Sequence, residues 1–242
     1  GGSGIGVFIS GANSSISSNG GNVSVTGNGN GSAATGGNSG VYVELAGAIS
    51  AGSTGTVTVI GNGKTSAGDN NFGVHVTGTS SMITSSGGNV NVTGQGGGTG
   101  ASSFNQGVNV WAAGKISAGG SGEVTVNGTG SSATGNSNRG VYIKDSNSTI
   151  TSSGGNIRIT GIEGGGLAGN GIVIQFSGNV TTLANGGNIL LIANSMDITS
   201  TVETGPNSEV TFKPLTSGTV IELGSPADPI NSQLRLTDSE LD

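Results

Sequence analysis

Apolar and polar residues alternate in short stretches that recur at a fixed spacing. A glycine followed by an alternating pair opens each unit, at Gly6-Val7-Phe8-Ile9, Gly40-Val41-Tyr42-Val43, Gly73-Val74-His75-Val76, Gly107-Val108-Asn109-Val110, Gly140-Val141-Tyr142-Ile143 and Gly171-Ile172-Val173-Ile174. Successive glycines stand 34, 33, 34, 33 and 31 residues apart. A lone aliphatic follows (Ile16, Ile49, Ile83, Ile116, Ile150, Leu183), and then a second pair (Val23/Val25, Val57/Val59, Val90/Val92, Val124/Val126, Ile157/Ile159, Ile189/Leu191). Period-two alternation marks a strand with one buried face. Each unit therefore predicts three short strands joined by tight turns of Gly, Ser and Asn, where positive φ is cheap. The polar stretch after the third strand, such as Gly94 to Gln106, reads as an exposed loop. Loop length costs little to change, so this stretch is expected to be removable.

From the first marker to the second, the step is 9, 8, 9, 8, 9 in the first five units, and from the second to the third it is 7, 8, 7, 8, 7. The underlying unit is therefore a pair of repeats, 67 residues long. One repeat holds too few inward aliphatics for a core. Stacking the repeats as turns of a coil supplies it, and satisfies each strand's backbone groups in the neighbouring turn. The expected fold is all-β, a right-handed parallel β-helix, the hand following from the preference of parallel crossovers. Residues 1–193 form about six three-strand turns of 33–34 residues. Residues 194–242 continue the solenoid as about two compact coils, cut short at the end. All four prolines lie in this second part. Val173, Leu190 and Ile192 fall at outward positions and call for a cover.

Composition narrows the reading. Glycine supplies 51 of 242 residues, which excludes a helical protein because each interior Gly costs about 1 kcal/mol relative to Ala. Ile and Val total 40 against 10 Leu, as sheets favour. Charged residues make up 8% and the net charge is −6, so no nucleic-acid partner is indicated. No apolar run reaches the ~18 residues of a membrane helix, so no membrane insertion is expected. Cysteine is absent, which fits an exported bacterial protein and removes thiolate metal sites. The chain opens without Met and reads as part of a longer polypeptide.

The segment Gly87-Gly88-Asn89-Val90-Asn91-Val92-Thr93-Gly94, repeated in variants along the chain, resembles the passenger repeats of filamentous-haemagglutinin-like bacterial surface adhesins and exoproteins. So do Gly218 to Gly224 and the closing Leu234 to Asp242. The resemblance implies a secreted, cell-surface β-helix with a rod-like structural role. The amino-terminal secretion domain of that family has no counterpart in this sequence.

Candidate chemistry is sparse. Gly164, Gly166 and Gly169 match a dinucleotide fingerprint, but a strand follows where a helix is required. Glycoside cleavage needs two carboxylates about 5–10 Å apart. Glu44 and Lys144 fall three turns apart, roughly 14 Å, and no acidic pair meets the requirement. No catalytic, metal or cofactor site is expected. A hydroxyl array for ice is interrupted on strand three, which reads Ser24, Thr58, Asn91, Thr125, Arg158, Leu190. The one candidate surface is an outward column, Phe8, Tyr42, His75 and Tyr142, with Trp111 alongside, where aromatic faces suit a glycan or a partner, although stacking of these side chains between turns is the favoured reading. His75 is expected on the surface. Asn22, Asn89 and Asn156 read as turn-formers, since an amide ladder would need adjacent turns, available only at Asn156 and Asn188. The expected role is a non-catalytic spacer rod, whose partners are neighbouring coils of the parent chain and further rods, end to end or side by side. The alternative is a carbohydrate-binding or polysaccharide-degrading β-helix.

Overall fold

The computed structural model describes residues 4–183, 186–223 and 233–236. Turn one holds β1 (Val7–Ser10), β2 (Ser15–Ser18) and β3 (Val23–Asn28). Turn two holds β4 (Val41–Glu44), β5 (Ala48–Ala51) and β6 (Val57–Asn62); turn three holds β7 (Val74–Thr77), β8 (Met82–Ser85) and β9 (Val90–Gln95). Turn four holds β10 (Val108–Trp111), β11 (Lys115–Ala118) and β12 (Val124–Thr129); turn five holds β13 (Val141–Lys144), β14 (Thr149–Ser152) and β15 (Ile157–Ile162). Turn six holds β16 (Ile172–Gln175), β17 (Asn179–Thr182) and β18 (Ile189–Ile192). A shorter seventh turn holds β19 (Met196–Ile198), β20 (Val202–Glu203) and β21 (Val210–Lys213). The first, second and third strands of the turns build three seven-stranded parallel sheets, here faces A, B and C. The fold is a β-solenoid, and no helix occurs among the described residues.

Register is what makes the stack cohere. Val90 sits between Val57 and Val124, and Ile116 between Ile83 and Ile150. All six are fully buried. Burying each such side chain is worth about 1.5–3 kcal/mol. In turns one to five the third strand runs three residues past the aliphatic pair, through an inward glycine. A Cβ on Gly94 would lie 2.0 Å from the carbonyl oxygen of Gly107, so the corner closes only on glycine there.

Two expectations change. Leu183 does not join the second-strand column. Val180 does, paired with Ile150 and Val202, while Leu183 is exposed. The alternating 9- and 8-residue step persists into turn six and selects Val180 from Ile172. Among the described residues one compact turn continues the three sheets, and β22 (Val220–Leu223) and β23 (Gln233–Leu236) beyond it pair in parallel with each other. Residues 224–232 and 237–242 of the compact region, with most of the closing motif, lie outside the described residues. Finally, the long loops are not simple exposed appendages. Asn38, Asn71, Asn105 and Asn138 are completely buried in them, one per turn.

These asparagines form a ladder parallel to the axis. The Oδ1 of Asn105 accepts the main-chain N–H and the Nδ2 of Asn71, both at 2.9 Å. Asn105 in turn donates its N–H and Nδ2 to Oδ1 of Asn138, at 3.0 and 2.9 Å. Asn38 does the same to Asn71 at 3.1 and 3.0 Å. The ladder begins with the Gly4 N–H on Asn38 Oδ1 at 2.8 Å. It ends where Gly169 occupies the same position in turn six, and Asn138 Nδ2 turns to the carbonyls of Ala133 and Gly135. Asn188 donates its N–H to Asn156 Oδ1 at 2.9 Å on the exposed side, at the one place where these amides fall on adjacent turns.

Candidate functional site

The aromatic column lies on the outer side of face A and is mostly covered. Phe8 is 53% exposed at the open end, Tyr42 is half-buried, and His75, Asn109 and Tyr142 are buried. In three successive turns the residue before the opening glycine, Phe72, Gln106 and Arg139, is placed by the loop against or beside the column. Phe72 sets its ring edge-on to His75, 4.5 Å between centroids. The Arg139 guanidinium sits 4.1 Å above the Tyr142 ring. Gln106 is buried at the corresponding place and donates its Nε2 to the carbonyl of Ser137 at 2.8 Å.

The structure does bring the predicted residues together. Phe8 and Tyr42 tilt against each other at 5.4 Å, and Tyr42 stacks on His75 at 4.6 Å with planes 9° apart. Trp111 reaches back over His75 at 6.2 Å and 7°. Trp111 itself is 39% exposed, and its Nε1 donates to Asp145. Lys144 places its ammonium 5.0 Å from the Trp111 ring and 5.6 Å from that of Phe176. The column is therefore an outer packing layer at His75 and Tyr142, and an open surface only at its margin: Phe8, Trp111 and Phe176.

His75 is not the surface residue expected from the sequence. Neither ring nitrogen has a hydrogen-bond partner, and burial holds its pKa down at about 3. The imidazole is neutral here and behaves as one more flat ring in the stack. Burial also raises the Tyr42 phenol, helped by its hydrogen bond to the Glu44 carboxylate and by that charge. Burial raises Tyr142 too, against the opposing Arg139 charge. None of these groups is poised to exchange a proton near neutrality.

A pH dependence follows. The unfolded chain's imidazole takes up a proton near pH 6.5, and the folded one only near pH 3. The unfolded state thus binds more protons throughout that interval. Stability from the neutral imidazole is complete above about pH 6.5 and falls as the pH drops towards about 3. Denaturant titrations at about pH 7.5 and about pH 4.5 should show a larger loss for the wild type than for His75→Phe, which keeps the stacked ring without the titration. Equal losses would show that His75 does not couple to folding.

Three arrangements escaped the sequence reading. The asparagine ladder was visible as an amide two residues before four successive opening glycines. A hydroxyl column runs along the outside of face B through Ser17, Ser50, Thr84, Ser117, Thr151 and Thr181, all in register. Thr84 and Ser117 hydrogen-bond at 2.8 Å. The third arrangement is a groove at the corner between faces A and B in turns six and seven. Among the described residues no group of three or more His, Cys, Asp or Glu could hold a metal, and no helix is long and apolar enough to cross a membrane. Comparison with protein-family models, with curated proteins and with solved structures found no match.

Proposed function

We propose that this chain is a non-catalytic structural rod, a segment of a secreted bacterial surface adhesin or extracellular filament. One observation supports this reading above others: each kind of buried side chain forms a column along the axis that joins one turn to the next. Aliphatics do so inside, amides do so in the loops, and aromatic rings do so outside face A. Seven turns at the ~4.8 Å strand spacing extend the rod by roughly 29 Å from the first strand of face A to the last. The resemblance of the Gly-Gly-Asn-Val repeats to surface adhesins points to the cell exterior, as does the lack of cysteine.

Such a rod should be modular in its 67-residue unit. Deleting Gly73 to Arg139 removes one such unit and joins Phe72 to Gly140, preserving the alternation of turn types. The shortened chain should fold, and small-angle scattering should show a maximum dimension reduced by two strand spacings, about 10 Å. Failure to fold would contradict modularity. Release of reducing ends from polysaccharides by the intact chain would refute the non-catalytic reading. Antibodies against the exposed loop around Phe104 should label intact, unpermeabilised cells; labelling only after lysis would remove the surface assignment.

A further inference from the structure

The groove between faces A and B has a volume of about 670 Å³ and an unusual lining. One wall is the ring of Phe176. The rest is Ser177, Asn179, Thr181, Thr199, Ser200 and Thr201, all hydroxyl or amide side chains and none charged. Two other recesses among the described residues differ. One, on the outside of face C, is lined by Glu123, Arg158 and Glu209; the other, beside the loops, is glycine-rich with no aromatic.

Phe176 contributes little to folding. It is 65% exposed and has φ +53°, the left-handed region. That conformation costs an L-residue about 1–2 kcal/mol, which glycine would avoid. The equivalent corners of turns two and four hold Leu45 and Ala112 at φ +51° and +50°, so the backbone shape belongs to the turn and the ring is an addition to it. Trp111, two turns away, is the second exposed ring on this margin, with Lys144 between them.

Donors and acceptors remain open in the groove. Asn179 uses Oδ1 on Thr149 at 2.5 Å, and Ser200 Oγ accepts the Ser177 N–H at 3.0 Å. Asn179 Nδ2 and the hydroxyls of Ser177, Thr199 and Thr201 have no protein partner among the described residues. A pyranose ring presents the matching chemistry: an apolar C–H face for an aromatic ring and a rim of neutral hydroxyls for short polar side chains. A phosphate or polyanion would require more cations than Lys144 beside Asp145. The hydroxyl column of face B leaves the groove at Thr181 and continues in register through Thr151 to Ser17, with Ser117 buried and hydrogen-bonded to Thr84 midway. Its spacing of ~4.8 Å per turn is close to the rise of one unit in an extended β-linked glycan.

We infer that this groove binds a neutral β-linked polysaccharide, one sugar stacked on Phe176 and the polymer lying along the hydroxyl column parallel to the axis. The test is affinity electrophoresis of the whole chain in gels containing a soluble mixed-linkage β-glucan or xyloglucan, with calorimetry on the retarded pair. Retardation is expected. Phe176→Gly should weaken binding at least tenfold while leaving the melting temperature unchanged or higher, because glycine suits the left-handed backbone. Thr181→Val, which keeps the branched shape without the hydroxyl, should weaken it severalfold. Phe104→Ala, at an exposed ring on a different corner, should bind as the wild type does. The proposal is overturned if neither glucan retards the chain, if Phe176→Gly binds like the wild type, or if only a polyanionic polysaccharide is bound.

Discussion

Val90→Asp is expected to abolish cooperative folding of the central turns, whereas Asn91→Asp, one residue along the same strand, should be close to neutral. Val90 is fully buried between Val57 and Val124, and its N–H already bonds the carbonyl of Glu123 at 2.8 Å. Aspartate there loses about 1.5–3 kcal/mol of apolar burial. It also brings a carboxylate to a site with no polar side chain, where an unpaired charge costs far more and even the protonated acid lacks partners. Together these approach the whole stability of a typical domain, about 5–15 kcal/mol. Asn91 lies on the outside of face C between Thr58 and Thr125, where water solvates a new charge. A solenoid is quasi-one-dimensional, so damage in turn three need not unfold turns five to seven. Limited proteolysis should therefore cut Val90→Asp first near turns three and four and release a protected carboxy-terminal fragment. Far-ultraviolet circular dichroism should register a loss for Val90→Asp and none for Asn91→Asp. Equal losses at the two positions would mean that the strand is turned over by one residue.

The strands and their register were readable because period-two alternation leaves no second solution: shifting β9 by one residue would bury Asn91 and expose Val90 and Val92. Even the error at Leu183 was avoidable. The 9- and 8-residue alternation leads from Ile172 to Val180, and only the stronger apolar appearance of Leu183 favoured the other choice. The covered side of face A was harder. What buries His75 and Tyr142 is Phe72 and Arg139, residues that sit in the polar loops and look solvent-facing until the loop closes over the sheet. The corner groove was harder still. Its lining comes from two successive turns, and the outward aim of Phe176 depends on a positive φ that composition does not announce.

The asparagine ladder is the plainest case of a signal present and misread, and it carries the second large prediction. A buried amide is costly without partners, so in a stretch rich in Gly, Ser and Asn each asparagine looks like a turn-former in water. The missing information is that its partner is the same residue one turn away. Asn105→Asp changes one group of that ladder. Oδ1 can still accept from Asn71, but the Nδ2 donations to Asn138 Oδ1 at 2.9 Å and to Ser102 Oγ at 2.8 Å disappear. An oxygen then faces the oxygen of Asn138, in a fully buried site, with a charge or an unwanted proton to place. Two lost hydrogen bonds of about 1 kcal/mol each, with the desolvated acid added, put the expected loss at several kcal/mol. Asn28→Asp is the control: Asn62 Nδ2 donates to Asn28 Oδ1 at 2.9 Å in the same inter-turn manner, but in water's reach. Denaturant melts should separate the two variants widely. If they coincide, the loops do not contribute to the core. If they separate, the loop from Gly94 to Gln106 belongs to the packed body of the rod, and the solenoid is held by the aliphatic columns of three faces together with a column of amides.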